Sequence, residues 1–104
     1  MPDSTRDGRP ITVVDDPEQS AFTATVDGEV AGRAVYRLRG AAVVFTHTET
    51  EPSMQHQGIG NALAGRALDL VAASGRKVVP RCPFIASYIQ GHPEYADLVE
   101  RMGT

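Results

Sequence analysis

Two glycines, Gly58 and Gly60, lie within Gln55-His56-Gln57-Gly58-Ile59-Gly60-Asn61, just where an apolar helical period begins. The first main-chain N–H groups of a helix lack internal partners. Glycines there let a bulky anion approach those groups, and the helix dipole adds about 0.3–1 kcal/mol for a negative ligand. The loop contains no lysine, so a diphosphate there would rest on main-chain donors. Glycines at a helix start also relieve crowding against a sheet, and the loop alone does not choose between these readings. Two other glycine motifs are excluded. No Gly-Lys pair follows, as a nucleoside-triphosphatase loop needs, and Leu63 stands where a dinucleotide fingerprint needs its third glycine.

The single Cys82 falls between a short strand and a helix. A thiol at a helix start is favoured as thiolate, the nucleophilic form, whereas a lone cysteine is also a common small buried hydrophobe. His47 shares an expected strand face with Phe45. It could serve as a general base, or as partner to Cys82 if their strands adjoin, or be a half-buried histidine bonded to main chain. Tyr88 could donate a proton to a leaving thiolate or be a core aromatic, while His92 and Tyr95 read as helix-termination and packing residues. Glu49 and Glu51 could attract a cationic acceptor or simply be a solvated strand end. Cys82, His47, His56 and His92 show no paired ligand spacing, so no metal site is expected.

Composition bounds the rest. The 104 residues are 41% apolar and 22% charged, with a net charge of −3, which fits one small domain over residues 11–104. No cluster of cations tracks a phosphate backbone, so nucleic-acid binding is not expected. No apolar run approaches the ~20 residues of a membrane span. Residues 1–10 are polar and read as a disordered tail. One cysteine precludes an intramolecular disulfide, and a reducing, cytoplasmic compartment is expected.

These residues need positioning elements. Residues 11–15 suggest a first strand. Residues 21–26 alternate, Asp27-Gly28 signals a hairpin, and residues 30–39 and 42–49 continue an antiparallel meander. The period then changes: Ile59, Leu63, Ala67, Leu70, Val71 and Ser74 form one helical stripe that Gly75 ends. Residues 77–80 make a short strand whose Pro80 marks an edge or a bulge. Cys82-Pro83 opens a second helix, Gly91-His92-Pro93 stops it, and residues 95–102 read as a last helical turn or two.

With these residues in place, the chain resembles the GNAT acetyltransferase superfamily, and more narrowly its minimal single-domain members. The resemblance spans residues 21–99. It is carried by Phe45-Thr46-His47-Thr48, by Gln55-x-x-Gly58-Ile59-Gly60 with Leu63, by Pro80-Arg81-Cys82-Pro83-Phe84-Ile85, and by Tyr88 with His92-Pro93-Glu94-Tyr95. It implies an α+β fold: a mostly antiparallel sheet, one main helix after the glycine loop, and a short C-terminal helical segment. It implies acetyl-coenzyme A as donor, with the pyrophosphate on Gln55, His56, Gln57, Gly58, Ile59, Gly60 and Asn61. The pantetheine arm would pair with the strand end at Thr48 and Thr50, its thioester entering a splay between that strand and residues 78–81. In the minimal group the matching cysteine lies at the proposed active site, which places Cys82 there. Two departures stand out: Gln55 and His56 replace the more usual arginine and glycine, and the N-terminal helices that build an acceptor pocket in larger relatives are lacking.

The implied activity is N-acetyl transfer to an unidentified amine or protein acceptor, by a monomer or homodimer, directly or through Cys82. A lysine-like amine, with pKa ~10.4, is about three units from its nucleophilic form at neutral pH, a cost of roughly 4 kcal/mol that a base, desolvation or an enzyme nucleophile must offset. The alternatives are a non-catalytic coenzyme A-binding or regulatory module and a plain interaction domain.

Overall fold

Asp27 and Gly28 both have positive φ, 54° and 80°, as a two-residue type I′ turn requires. They join β2 (Ala21–Val26) to β3 (Glu29–Arg39), with Val26 opposite Glu29. β1 (Thr12–Asp16) pairs antiparallel with β2, and β4 (Ala42–Thr50) with β3, completing the expected meander. The computed structural model of the chain describes residues 4–100. After a 3-10 turn over Pro52–Met54 come α1 (Ile59–Ala73) and β5 (Lys77–Pro80). β5 lies parallel to β4, giving one sheet in the order β1-β2-β3-β4-β5. α1 is thus the crossover of a β-α-β unit appended to the meander. Pro80 lies on the last strand, where its missing N–H costs no ladder bond to a further strand.

The core lies between the sheet and two helices. α1 buries Ile59, Leu63, Ala67 and Val71 from the expected stripe, and also Ala62, Ala64 and Leu68. Ser74 falls outside the stripe: it is exposed and caps the helix just before Gly75. α2 (Pro83–Gly91) adds Ile85 and Ile89 to the same cluster, so both helices cover one face of the sheet. The rings of Phe22, Tyr36 and Phe45 pack there with centroids 5.2–6.5 Å apart.

Two glycines permit close approaches. A Cβ on Gly32 would lie 2.8 Å from the carbonyl oxygen of Glu49 and 3.1 Å from Ile59, so this gap lets α1 begin against β3 and β4. A Cβ on Gly60 would lie 2.9 Å from the ring tip of Phe84, so α1 and α2 approach through it.

β4 carries an irregularity that the sequence alternation does not announce. Its partners on β3 run Tyr36↔Phe45 and then Val35↔His47, leaving Thr46 as one extra residue, a β-bulge. The extra residue reverses the alternation. Phe45 stays in the core, but His47 turns to the outer face and Thr48 takes the helix face. The expectation that His47 shares a face with Phe45 is therefore corrected.

Both chain ends depart from the expected pattern. The last helical turns are a 3-10 helix over Pro93–Leu98, after which Val99 is extended and bridges Val78. The edge of β5 offers unpaired groups, and the Glu100 N–H takes the Val78 carbonyl at 2.8 Å; Met102 lies outside the described residues. Within the expected tail, residues 1–3 lie outside the described residues, while residues 4–10 form a turn. Ser4 bridges Pro10, Thr5 is buried, and Arg9 pairs with Asp7 at 3.0 Å and Asp27 at 3.2 Å. These local bonds and the carboxylate in the β2–β3 turn draw the segment onto the sheet end.

Gly32→Ala sets a methyl against main chain that cannot swing away, so urea unfolding should show a loss of about 1–3 kcal/mol. Gly60→Ala meets a side-chain ring that can rotate, and its loss should be the smaller of the two. A second prediction concerns alkali. Burial, then the bond its hydroxyl donates to Asp15 at 2.6 Å, pushes the Tyr36 phenol from 10.0 up to about 12. The fold holds this proton more tightly than the unfolded chain, so its contribution is complete below pH 10 and is lost between pH 10 and 12. Tyr36→Phe should flatten the decline of stability across that window, measured by urea unfolding at a series of pH values.

Candidate active site

β4 outruns its neighbour. β5 pairs with it only from Ala42↔Lys77 to Phe45↔Pro80. The Phe45 carbonyl then accepts the N–H groups of both Arg81 and Cys82, at 3.0 and 2.9 Å, and the chain turns away into α2. Residues 47–50 of β4 stay paired to β3, with Thr46 bulged, and residues 46–50 have no strand on the other side among the described residues. The result is a notch between the free edge of β4 and the start of α2, the expected splay.

Cys82 lies at this notch. It precedes the first residue of α2, with extended φ and ψ of −73° and 123°, and is only 4% exposed. Its sulfur is 3.3 Å from the Thr48 hydroxyl. A hydroxyl so placed can donate to a thiolate or accept from a thiol. The strands of His47 and Cys82 do adjoin, yet these two side chains are not brought together. His47 Nε2 faces Glu49 Oε2 at 3.4 Å on the outer face, where Glu49 also meets Arg33 at 3.5 Å.

The glycine loop lies at the other end of the free edge. Gly58 is the N-cap of α1 with φ of +82°, and His56 has φ of +67°. A glycine takes such a conformation without strain, whereas His56 pays for it. A Cβ on Gly58 would meet nothing within 4 Å, so Gly58 answers to its backbone angle and Gly60 to Phe84. The main-chain N–H groups of His56, Gly58, Ile59, Gly60 and Asn61 find no main-chain acceptor among the described residues. A pocket of about 420 Å³ is lined by Thr50, Met54, the loop residues Gln55, His56 and Gly58, the helix start Ile59 to Asn61, and Phe84. The Gln57 side chain is turned elsewhere: its Oε1 accepts the Arg6 N–H at 3.1 Å.

The pocket also takes in Phe84 and Met54, which the sequence does not mark as site residues. Their roles depend on the docking of α2 and of the 3-10 turn, for which the sequence carries no local signal. Tyr88 directs its hydroxyl at Gly65, 2.7 Å from where a Cβ would be, and its ring stacks on His92 at 3.9 Å. Burial, then the bond donated to Asp69, pushes the Tyr95 phenol above its ordinary range. His92 Nδ1 lies 2.8 Å from the Tyr88 carbonyl. Another cavity, about 370 Å³, lies over Phe22, Tyr36, Val43 and Val71 near the C-terminal end of α1, away from the notch. Among the described residues, no group of three or more His, Cys, Asp or Glu could hold a metal ion, and no helix is long and apolar enough to cross a membrane.

No curated protein matches the chain. Among solved structures, an NMR structure from Staphylococcus aureus, described as a "GCN5-like putative N-acetyltransferase", matches with a TM-score of 0.65 at 15% identity, over 88% of this chain and 89% of that one. At that identity the likeness shows the fold, a mixed sheet with helices on it. A family model described as GCN5-related N-acetyl-transferase matches residues 21–98. That span holds the sheet from β2 onward, the glycine loop, the notch and Cys82, and by it the chain belongs to the GCN5-related N-acetyl-transferase family.

Proposed function

We propose that this chain transfers an acetyl group from acetyl-coenzyme A to an amine. The observation that carries the reading is the order of features along the unpaired edge of β4: the pocket at the start of α1 reaches Thr50, and two residues back Thr48 meets Cys82. The chemistry of the donors fits the group at each point. Unpartnered N–H groups at a helix start suit a diphosphate. A strand edge open over residues 46–50 suits an amide-bearing pantetheine arm, which can pair with it as an added strand. The donor supplies an activated acyl group as a thioester. The chain's own residues would bind it, exclude water with Phe84 and α2, and present a thiol at the notch.

His47 keeps a role only on the acceptor side. It is exposed on the outer face, beside Glu49, where it could take a proton from an incoming amine. Cys82 either receives the acetyl group first or forms the wall past which the amine attacks directly. The expected compartment is cytoplasmic, and the assembly a monomer or homodimer. The alternative reading, a non-catalytic coenzyme A-binding module, is favoured by the bare outer face: both helices lie on the opposite side of the sheet. Calorimetry with coenzyme A beside an acetylation assay on a panel of amines separates the two.

Thermal unfolding with coenzyme A, acetyl-coenzyme A and adenine nucleotides tests the donor site. The first two should raise Tm, and Gly58→Asn, which tolerates the left-handed angle but adds a side chain in the open space, should weaken that effect at least tenfold in ligand concentration. No coenzyme A-dependent shift in the unmodified chain refutes the reading. Intact-mass measurement after mixing with acetyl-coenzyme A tests the covalent route; absence of an adduct, with turnover preserved in Cys82→Ser, removes it. Thr48→Val, which removes the hydroxyl 3.3 Å from the sulfur, should change the rate of Cys82 alkylation at neutral pH severalfold, with Thr48→Ser restoring it.

A further inference from the structure

The charge of the acceptor can be read from the outer face of the sheet, an inference that rests on the acyl-transfer reading above. α1 and α2 pack on the helix face beside the notch, and Cys82 is 4% exposed. A second reactant therefore reaches the notch from the outer face. That face is asymmetric around the notch. On one flank Glu49, the carboxylate expected to draw a cationic amine, already lies between Arg33 at 3.5 Å and His47 at 3.4 Å. On the other flank a hollow of about 350 Å³ is lined by Arg37, Leu38, Arg39, Val44, Thr46 and Arg81.

This hollow adjoins the notch through two of its residues. Thr46 is the bulge residue, and Arg81 directly precedes Cys82. Arg37 shares the outer face with Val44, its partner across the β3–β4 ladder. Arg39 is tied to Glu100 at 3.1 Å. Arg37 and Arg81 are exposed and make no ion pair among the described residues. The guanidinium groups of Arg37 and Arg81, with no ion-pair partner among the described residues, give the hollow its positive charge. Arginine presents a planar fork of donors that matches a carboxylate or phosphate. Val44, 7% exposed, gives the hollow an apolar floor beneath those donors.

We propose that this hollow receives the anionic group of the acceptor, a small amine that also carries a carboxylate or a phosphate. The anion sits between Arg37 and Arg81, and the amine extends past Thr46 into the notch. A purely cationic amine has no partner there and is repelled.

The test uses the full-length, isotopically labelled protein and amide NMR, with and without saturating coenzyme A. The probes are β-alanine, O-phosphoethanolamine and ethanolamine. Saturable shifts at Thr46 and Arg81 and their neighbours are expected with either anionic amine, and which of the two binds tighter identifies carboxylate or phosphate as the preferred group. Ethanolamine should give no saturable shift. In the double variant Arg37→Gln with Arg81→Gln, whose unchanged amide spectrum elsewhere certifies the fold, the anionic probes should bind at least tenfold more weakly. Equal or tighter binding of ethanolamine, insensitivity to the double variant, or no saturable shift with either anionic probe overturns the proposal. The donor reading fails separately, by absence of coenzyme A-induced shifts over residues 57–61.

Discussion

The carbonyl oxygen of Phe45 accepts the main-chain N–H groups of Arg81 and Cys82 at 3.0 and 2.9 Å, and the geometry of the site follows from that shared acceptor. The Arg81 N–H makes the last bond of the ladder between β4 and β5, at Phe45↔Pro80. The Cys82 N–H converges on the same oxygen instead of advancing along β4, and the chain bends into α2. β4 meanwhile runs on for five more residues, held by β3 alone. One main-chain junction thus frees a strand edge and fixes the backbone of Cys82 where its sulfur meets Thr48.

The bulge at Thr46 acts at the same level of the sheet and distributes the side chains between its faces. Without the extra residue, Phe45 and His47 would both face the helices, and Thr48 would point outward. With it, the large ring of Phe45 closes the core, and three residues on a hydroxyl faces Cys82. His47 and Glu49 are left outside, in contact with each other and, through Glu49, with Arg33. The two faces are thereby given different chemistry: a thiol and a hydroxyl on one, ion pairs on the other.

Much of the fold was legible because its signals are local. The Asp27-Gly28 turn, the helix end at Gly75, the proline at the start of α2 and its stop before Pro93 each depend on a few adjacent residues. The period change after Glu49 marked α1, though the stripe omitted Leu68, which is buried in the cluster that α1 forms with the sheet and α2. What was hidden depends on distant partners. The glycine pair reads as one motif, yet Gly58 serves a left-handed backbone angle and Gly60 makes room for Phe84, twenty-four residues later. The bulge leaves no mark in the alternation of apolar and polar residues, because Thr46 is as ordinary in a strand as any threonine. The end of the chain was read as helix because nothing local reveals that the free edge of β5 will take residues 99 and 100.

A chain of this length has enough apolar surface to cover one face of a five-stranded sheet with helices, and the other face must be finished differently. Val44 is 7% exposed although no helix lies over it. Arginine is suited to that task, since its methylene stem lies on apolar surface while its charge stays in water. Covering the sheet in this way has an electrostatic consequence. The cations of Arg37 and Arg81 stand beside the open approach to the notch, where they repel like charge as well as attract its opposite. Specificity is a difference between affinities, and a barrier to the wrong partner contributes as much as a contact with the right one. The same side chains that let so short a chain keep one face of its sheet bare would then also sort the molecules that reach it.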